Sequence, residues 1–122
     1  MFLAELRQSF AAHSSQTALE FPHRRYSFGQ LERSAERVAG LLQSKGVAAG
    51  DRVLLCLEAK EPFLLGYLGA LWCGAVPLPI HPGFKLAELI YLANDSEAGW
   101  LLHDATSAEN AGQLSQQFAS RR

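Results

Sequence analysis

From Pro62 to Phe84 the chain carries no Asp, Glu, Lys or Arg, and no other feature narrows its possible folds as far. A charge-free run of that length is either a membrane span or the inside of a soluble fold. A span needs about 20 apolar residues in a single helix. Here Pro77 and Pro79 interrupt the run, His81-Pro82-Gly83 ends it, and no basic anchors flank it. Two prolines spaced by two remove main-chain donors and clash with the preceding turn, so one helix cannot pass through them. Although Gly66-x-x-Gly69 imitates a membrane packing face, the prolines decide for a soluble core with no membrane span. The run therefore splits into a helix over Phe63–Cys73, apolar nearly all round and hence buried, and an extended "AVPLPI" (Ala75 to Ile80). Gly66, Ala70 and Gly74 recur every four residues, giving a small-residue face that lets a helix lie close on its neighbour. Gly74-Ala75 ends that helix.

Around this core the periodicities alternate. Phe2, Leu3, Leu6 and Phe10 give an amphipathic helix ending near His13-Ser14-Ser15. "TALEF", the Pro22-His23-Arg24 turn and "RYSF" read as a β-hairpin over Thr17–Phe28. Ser27 followed by Gln30 has capping-box spacing and starts a helix. Phe28, Leu31, Ala35, Val38 and Leu42 form its apolar stripe, while Glu32, Arg33, Glu36 and Arg37 cover the other face. Gly46 stops it. "RVLLCL" (Arg52–Leu57) is continuously apolar, as strands buried on both faces of a parallel sheet are. Leu86, Leu89, Ile90 and Ala93 mark a further helix, "GWLLH" (Gly99–His103) a third short strand, and Ser107–Ser120 a last polar helix. Strand and helix alternate from Arg52 onward, which predicts an α/β fold. An N-terminal β-hairpin and helices precede βαβαβ with a parallel sheet and right-handed crossovers. With 122 residues, a single domain over 1–122 is expected.

The search for chemistry is largely negative. Net charge is −1, which gives no electrostatic case for nucleic acid or an anionic membrane. Neither G-x-x-x-x-G-K-[ST] nor G-x-G-x-x-G occurs, so no phosphate-cradling loop is written. His13, His23, His81 and His103 stand singly, without a metal-ligand partner at helical or loop spacing. Cys56 and Cys73 sit in apolar runs and read as buried free thiols of a cytoplasmic protein, with a bridge as the alternative. Glu5 and Arg7 occupy the stretch where a secretory signal needs an apolar segment. His103-Asp104 is a surface turn or an acid/base pair. His81 follows a strand, and ligands of open α/β sheets gather beyond the carboxyl ends of strands. With Pro79 and Pro82 it makes the candidate ligand-side loop, with a structural role as the competing reading. No catalytic, cofactor-binding or metal-ligating residue is assigned.

The residues then resemble a family. Tyr26-Ser27-Phe28-Gly29-Gln30-Leu31 is similar to the Tyr-Thr-Tyr-x-Glu-Leu helix start of the AMP-forming, adenylate-forming superfamily. Gly50-Asp51-Arg52-Val53 is similar to its strand start. Gly74, Ala75, Pro79 and Pro82 are similar to its Gly-Ala-x-x-x-Pro-x-x-Pro turn. Leu92, Asn94, Asp95, Ser96 and Ala98 are similar to the stretch that follows. The likeness covers about residues 17–104. The superfamily includes acyl- and aryl-CoA ligases, fatty acyl-AMP ligases and peptide-synthetase adenylation domains. The chain departs from it at Glu61-Pro62, where the family has Pro-Glu, at His81, where an Asx is common, at Lys85, where Ser or Thr caps a helix, and at Pro77. Lysine cannot cap, and its charge opposes the dipole at a helix start.

The resemblance implies the N-terminal part of a ligase that joins a carboxylic acid to AMP from ATP and passes the acyl group to CoA or a carrier-protein thiol. ATP and Mg²⁺ are implied for such a parent enzyme. The family's phosphate loop, magnesium-binding acid and catalytic lysine follow this region and map onto none of these residues. The expectation is an inactive scaffold or acyl-pocket subdomain, with the remainder of the adenylation domain as its partner. The alternative is a free-standing, non-catalytic α/β binding or regulatory module derived from that family. An open reading frame past codon 122 into a Ser/Thr/Gly-rich loop supports the first, and a stop codon the second.

Overall fold

The computed structural model describes residues 2–80 and 86–103. Helix α1 (Phe2–Ala12) leads into a hairpin of β1 (Thr17–Phe21) and β2 (Arg24–Ser27), followed by α2 (Phe28–Ser44). Strand β3 (Arg52–Cys56), helix α3 (Lys60–Trp72), strand β4 (Val76–Pro79), helix α4 (Leu86–Ser96) and strand β5 (Trp100–His103) complete it. The hairpin is antiparallel. The other sheet has the order β4-β3-β5, and both of its ladders are parallel. This is the expected α/β architecture. Among the described residues no helix is long and apolar enough to cross a membrane.

Helix α2 begins where its capping box sits. Gln30 N donates to Ser27 Oγ at 3.1 Å, and Ser27 N donates to Gln30 Oε1 at 2.9 Å. Two of the helix's four orphan donors are thus satisfied reciprocally. Its end is equally local, with Gly46 at φ +110, a conformation nearly free of cost only for glycine. Glu32 and Glu36, on the face opposite the apolar stripe, accept hydrogen bonds from Arg7 of α1, at 3.3 and 3.0 Å.

Helix α3 starts three residues earlier than expected, at Lys60. Pro62 does not prevent this, because it lies in the first turn, where N–H groups have no intrahelical partner anyway. Phe63 N makes the first bond, to Ala59 O at 3.1 Å. The close approach also runs through a different residue. A Cβ on Gly69 would come within 2.3 Å of Val38 Cγ1, so it is Gly69 that lets α3 lie on α2. Gly66 faces Leu102 and Leu57, Ala70 is fully buried, and Gly74 lies beyond the helix at φ +80.

Alternation along β3 sorts the core. Val53 and Leu55 join a large cluster with Phe10, Tyr26, Leu31, Ala35, Leu68 and Trp72. Leu54 joins Ile80 and Ala98, against which Ile90 and Leu92 pack. Helices α3 and α4 therefore cover opposite faces of the sheet, and β3 is buried on both, as its unbroken apolar run predicts. Lys85, His81, Pro82, Asp104 and the polar helix expected over Ser107–Ser120 lie outside the described residues.

Candidate functional site

Because the three strands are parallel, their carboxyl ends share one edge of the sheet. In a doubly wound sheet this is the ligand edge, and the crevice forms where connections diverge to opposite faces. Here β3 leaves through α3 on one face, while β5 is reached through α4 on the other. The edge is built by Leu57, Glu58 and Ala59 after β3, by Pro79 and Ile80 at the end of β4, and by His103 at the end of β5. Ile80 N donates to Leu55 O at 2.9 Å and carries the ladder one residue past β4. Pro79 is exposed there, opposite Leu55.

The register also sets Cys56 opposite His103, a juxtaposition that sequence spacing does not show. It makes no nucleophile, because Cys56 is only 2% exposed and a reactive thiolate needs access and an electropositive setting. Both cysteines are free and buried, so the alternative of a bridge is not realised. His13 is elsewhere, beside Phe28 with Nδ1 at 2.9 Å from Ser9 O. His23 lies in the hairpin turn. Among the described residues no three His, Cys, Asp or Glu side chains could hold a metal ion.

The opposite, amino-terminal edge is more densely bonded. Gly50, at φ +87, donates its N–H to Gly74 O at 2.9 Å. One carboxylate oxygen of Asp51 accepts both Ala48 N at 2.9 Å and the Trp100 indole N–H at 3.1 Å. Arg52 reaches across to donate to Ser96 O at the end of α4, where a cation also suits the helix dipole. Gly50, Asp51, Arg52 and Trp100, with Glu97 and Gly99, line a polar cleft of about 360 Å³. The Gly-Asp-Arg motif, so visible in the sequence, thus ties three strands and a helix end together, away from the ligand edge.

Two further features escaped sequence reasoning. An apolar groove of about 280 Å³ runs between the end of α2 and β5, lined in part by Leu41, Val47, Trp100 and Leu102. Its residues are 60 positions apart in places, so only the fold assembles them. The buried Tyr26 hydroxyl donates to the Glu61 carboxylate at the start of α3, with the Arg24 guanidinium stacked 4.4 Å over the Tyr26 ring. Burial, reinforced by the Glu61 carboxylate, pushes the Tyr26 phenol above its usual range, while Arg24 and Arg37 pull it down. This triad joins the hairpin to α3. A capping reading of "YSF" uses Ser27 and leaves the partner of Tyr26 unnamed.

Comparisons with known proteins agree with this geometry. The sequence matches the family model described as AMP-binding enzyme over residues 6–121. It is 33% identical over 90 residues to tyrocidine synthase 3 of Brevibacillus parabrevis, covering 74% of this chain and 1% of that protein. It is 30% identical over 117 residues to the AMB antimetabolite synthetase AmbB of Pseudomonas aeruginosa, covering 93% and 9%. In structure it is similar to the N-terminal domain of FACL13 from Mycobacterium tuberculosis, with TM-score 0.83 at 28% identity, covering 91% of this chain and 28% of that one. A benzoate CoA ligase from Burkholderia xenovorans LB400 superimposes equally well, with TM-score 0.83 at 26% identity, covering 94% and 24%. The chain spans a small part of each relative, and the likeness falls on their N-terminal portion.

Proposed function

The chain belongs to the AMP-binding enzyme family, and from that premise we propose that it is the N-terminal scaffold of a cytoplasmic domain that activates a carboxylic acid as acyl-AMP. The thiol acceptor would be CoA or the pantetheine of a carrier protein. The peptide synthetases among the sequence relatives and the CoA ligases among the solved structures leave both acceptors open. The parent reaction forms a bond between a carboxylate oxygen and the α-phosphorus of ATP, releasing pyrophosphate. The thiol sulfur then displaces AMP from the acyl carbon.

The reading rests on the match of residues 6–121 to the family model and on the superposition with the N-terminal domain of FACL13; groups placed to hold a triphosphate are not among the described residues. Such a site needs convergent main-chain N–H groups, a cation and an acid for Mg²⁺. Arg52 is engaged at the far edge with Ser96 O, and Lys60 opens α3 with no glycine-rich loop beside it. ATP and Mg²⁺ therefore do not fit the described residues by themselves. In this reading Pro79, with His81 and Pro82 after it, forms one wall of the acyl pocket, and the remainder of the adenylation domain supplies the phosphate and metal contacts.

The test has two arms. Calorimetry with ATP and Mg²⁺, together with pyrophosphate exchange over a panel of carboxylic acids, should show neither micromolar binding nor exchange by the 122-residue chain. A chimera in which residues 17–104 replace the matching segment of an active acyl-CoA ligase should retain acid-dependent exchange. Binding by the chain alone, or a folded chimera without exchange, would overturn the scaffold reading.

A further inference from the structure

Strand β4 has β3 on one side and, among the described residues, no strand on the other. An open edge presents unpaired N–H and C=O groups and invites pairing with another chain. Proteins commonly blunt such edges with charged side chains, and the hairpin does so with exposed Glu20, Arg24 and Arg25. Strand β4 cannot use that device, since it lies inside the run from Pro62 to Phe84 that carries no charge. It is apolar and partly exposed, with Val76 at 42%, a combination that favours association.

What β4 has instead is Pro77 and Pro79, and the ladder shows which way they face. Val76 N donates to Asp51 O at 2.7 Å and Ile80 N to Leu55 O at 2.9 Å. Leu78, midway between them, stands opposite Leu54. Main-chain polar groups alternate in direction along a strand. Residues 76, 78 and 80 therefore direct theirs at β3, and 77 and 79 direct theirs at the outer edge. Both outward positions are proline, which has no N–H to offer. The prolines cost the β3–β4 ladder nothing and remove the donors from the outer edge alone, the placement in which a strand tolerates proline.

We propose that Pro77 and Pro79 close this edge of the sheet against a second copy of the chain. Pairing of two β4 edges about a twofold axis would need the N–H of 77 or 79 to meet a carbonyl of the partner copy. With proline at both, the carbonyls of one copy face those of the other and no ladder forms.

The test uses the full 122-residue chain with Val76→Cys carrying a nitroxide, the two native thiols being buried. The labelled chain with both prolines should show no short intermolecular distance between labels by pulsed electron paramagnetic resonance, even at concentrations where it associates through other surfaces. Adding P77V and P79V should produce that distance and tighten self-association, measured by sedimentation, at least about tenfold. P77V alone, which restores one donor, should give a smaller change of the same sign. A short distance in the chain that keeps both prolines, or none in the folded double variant, would overturn the proposal. Loss of the folded circular-dichroism spectrum in both variants would overturn it too, since the prolines would then be needed by the strand itself.

Discussion

Helices α2 and α3 lie against each other, yet they are specified in different ways. In α2 the instructions are local: a capping box at Ser27 and Gln30, an apolar stripe at steps of three and four, and Gly46 in a positive-φ stop. In α3 almost none are. It is apolar nearly all round, Ala59 at its N-cap makes no side-chain hydrogen bond, and Pro62 sits inside its first turn. Its start is held instead by a contact from another element, the Tyr26 hydroxyl on Glu61. Its distance from α2 is set by the missing side chain at Gly69. A helix with a solvent face is delimited by its own residues, whereas a helix in the core is delimited by its neighbours.

The contrast can be broken most severely at the contact between the two helices. Gly69→Ala gains about 1 kcal/mol of helix propensity, but its Cβ would lie 2.3 Å and 2.6 Å from Val38 side-chain atoms and 3.3 Å from Ala39 N. Overpacking against a β-branched side chain and main chain should outweigh the gain, for a net loss of about 2 kcal/mol. The urea midpoint reads this directly, and a raised midpoint would mean the helices stand further apart. Gly66→Ala tests the specificity of the effect. Its nearest obstacle, at 2.7 Å, is the flexible tip of Leu102, so it should cost less than half as much.

Tyr26→Phe removes the side-chain contact that ties the start of α3 to the hairpin and leaves the Glu61 carboxylate short of a donor, with an expected loss of about 1–1.5 kcal/mol. It also carries a pH signature. The folded-state pKa of Tyr26 is raised above its ordinary 10.0, so the folded form holds the phenol proton more tightly than the unfolded chain. Its contribution is complete below pH 10 and is lost as pH rises through the raised value. Stability measured between pH 9 and 11 should therefore fall more steeply for the parent chain than for Tyr26→Phe. Equal slopes would place the coupling elsewhere.

Ser27→Ala should cost about 1 kcal/mol by deleting the local cap of α2, with α3 unaffected in hydrogen exchange. At the small end, Leu41→Gln on the outer face of α2, where Leu41 is 58% exposed, should move stability by less than about 0.5 kcal/mol. A larger drop would show that the apolar groove beside it is covered in solution.

Much of the fold was legible in the residues. The continuous apolar "RVLLCL" reads as a strand buried on both faces, and β3 is one, with Val53 and Leu55 in one cluster and Leu54 in the other. The hairpin, the α2 cap and the prolines that divide the apolar run were legible for the same reason: each is written in residues a few positions apart. The candidate site was far less so. Pro79 stands at the carboxyl edge of the sheet, but the pairing of Cys56 with His103, the groove beside Trp100 and the Tyr26–Glu61–Arg24 triad each join residues far apart in sequence. The Gly50-Asp51-Arg52 motif was visible as a pattern, while its role, anchoring Trp100 and the end of α4, was not.

The sequence by itself determined where main chain could be helical, where it had to turn, and which segments had to be buried. These follow from side-chain period, proline's missing N–H and glycine's access to positive φ, all properties of a few consecutive residues. Only the tertiary structure decided where α3 begins, which glycine receives α2, which carboxylate accepts the Tyr26 hydrogen bond, and that the prolines of β4 face outward. Each depends on what a distant part of the chain brings within a few ångströms, and neither local propensity nor spacing contains that distance.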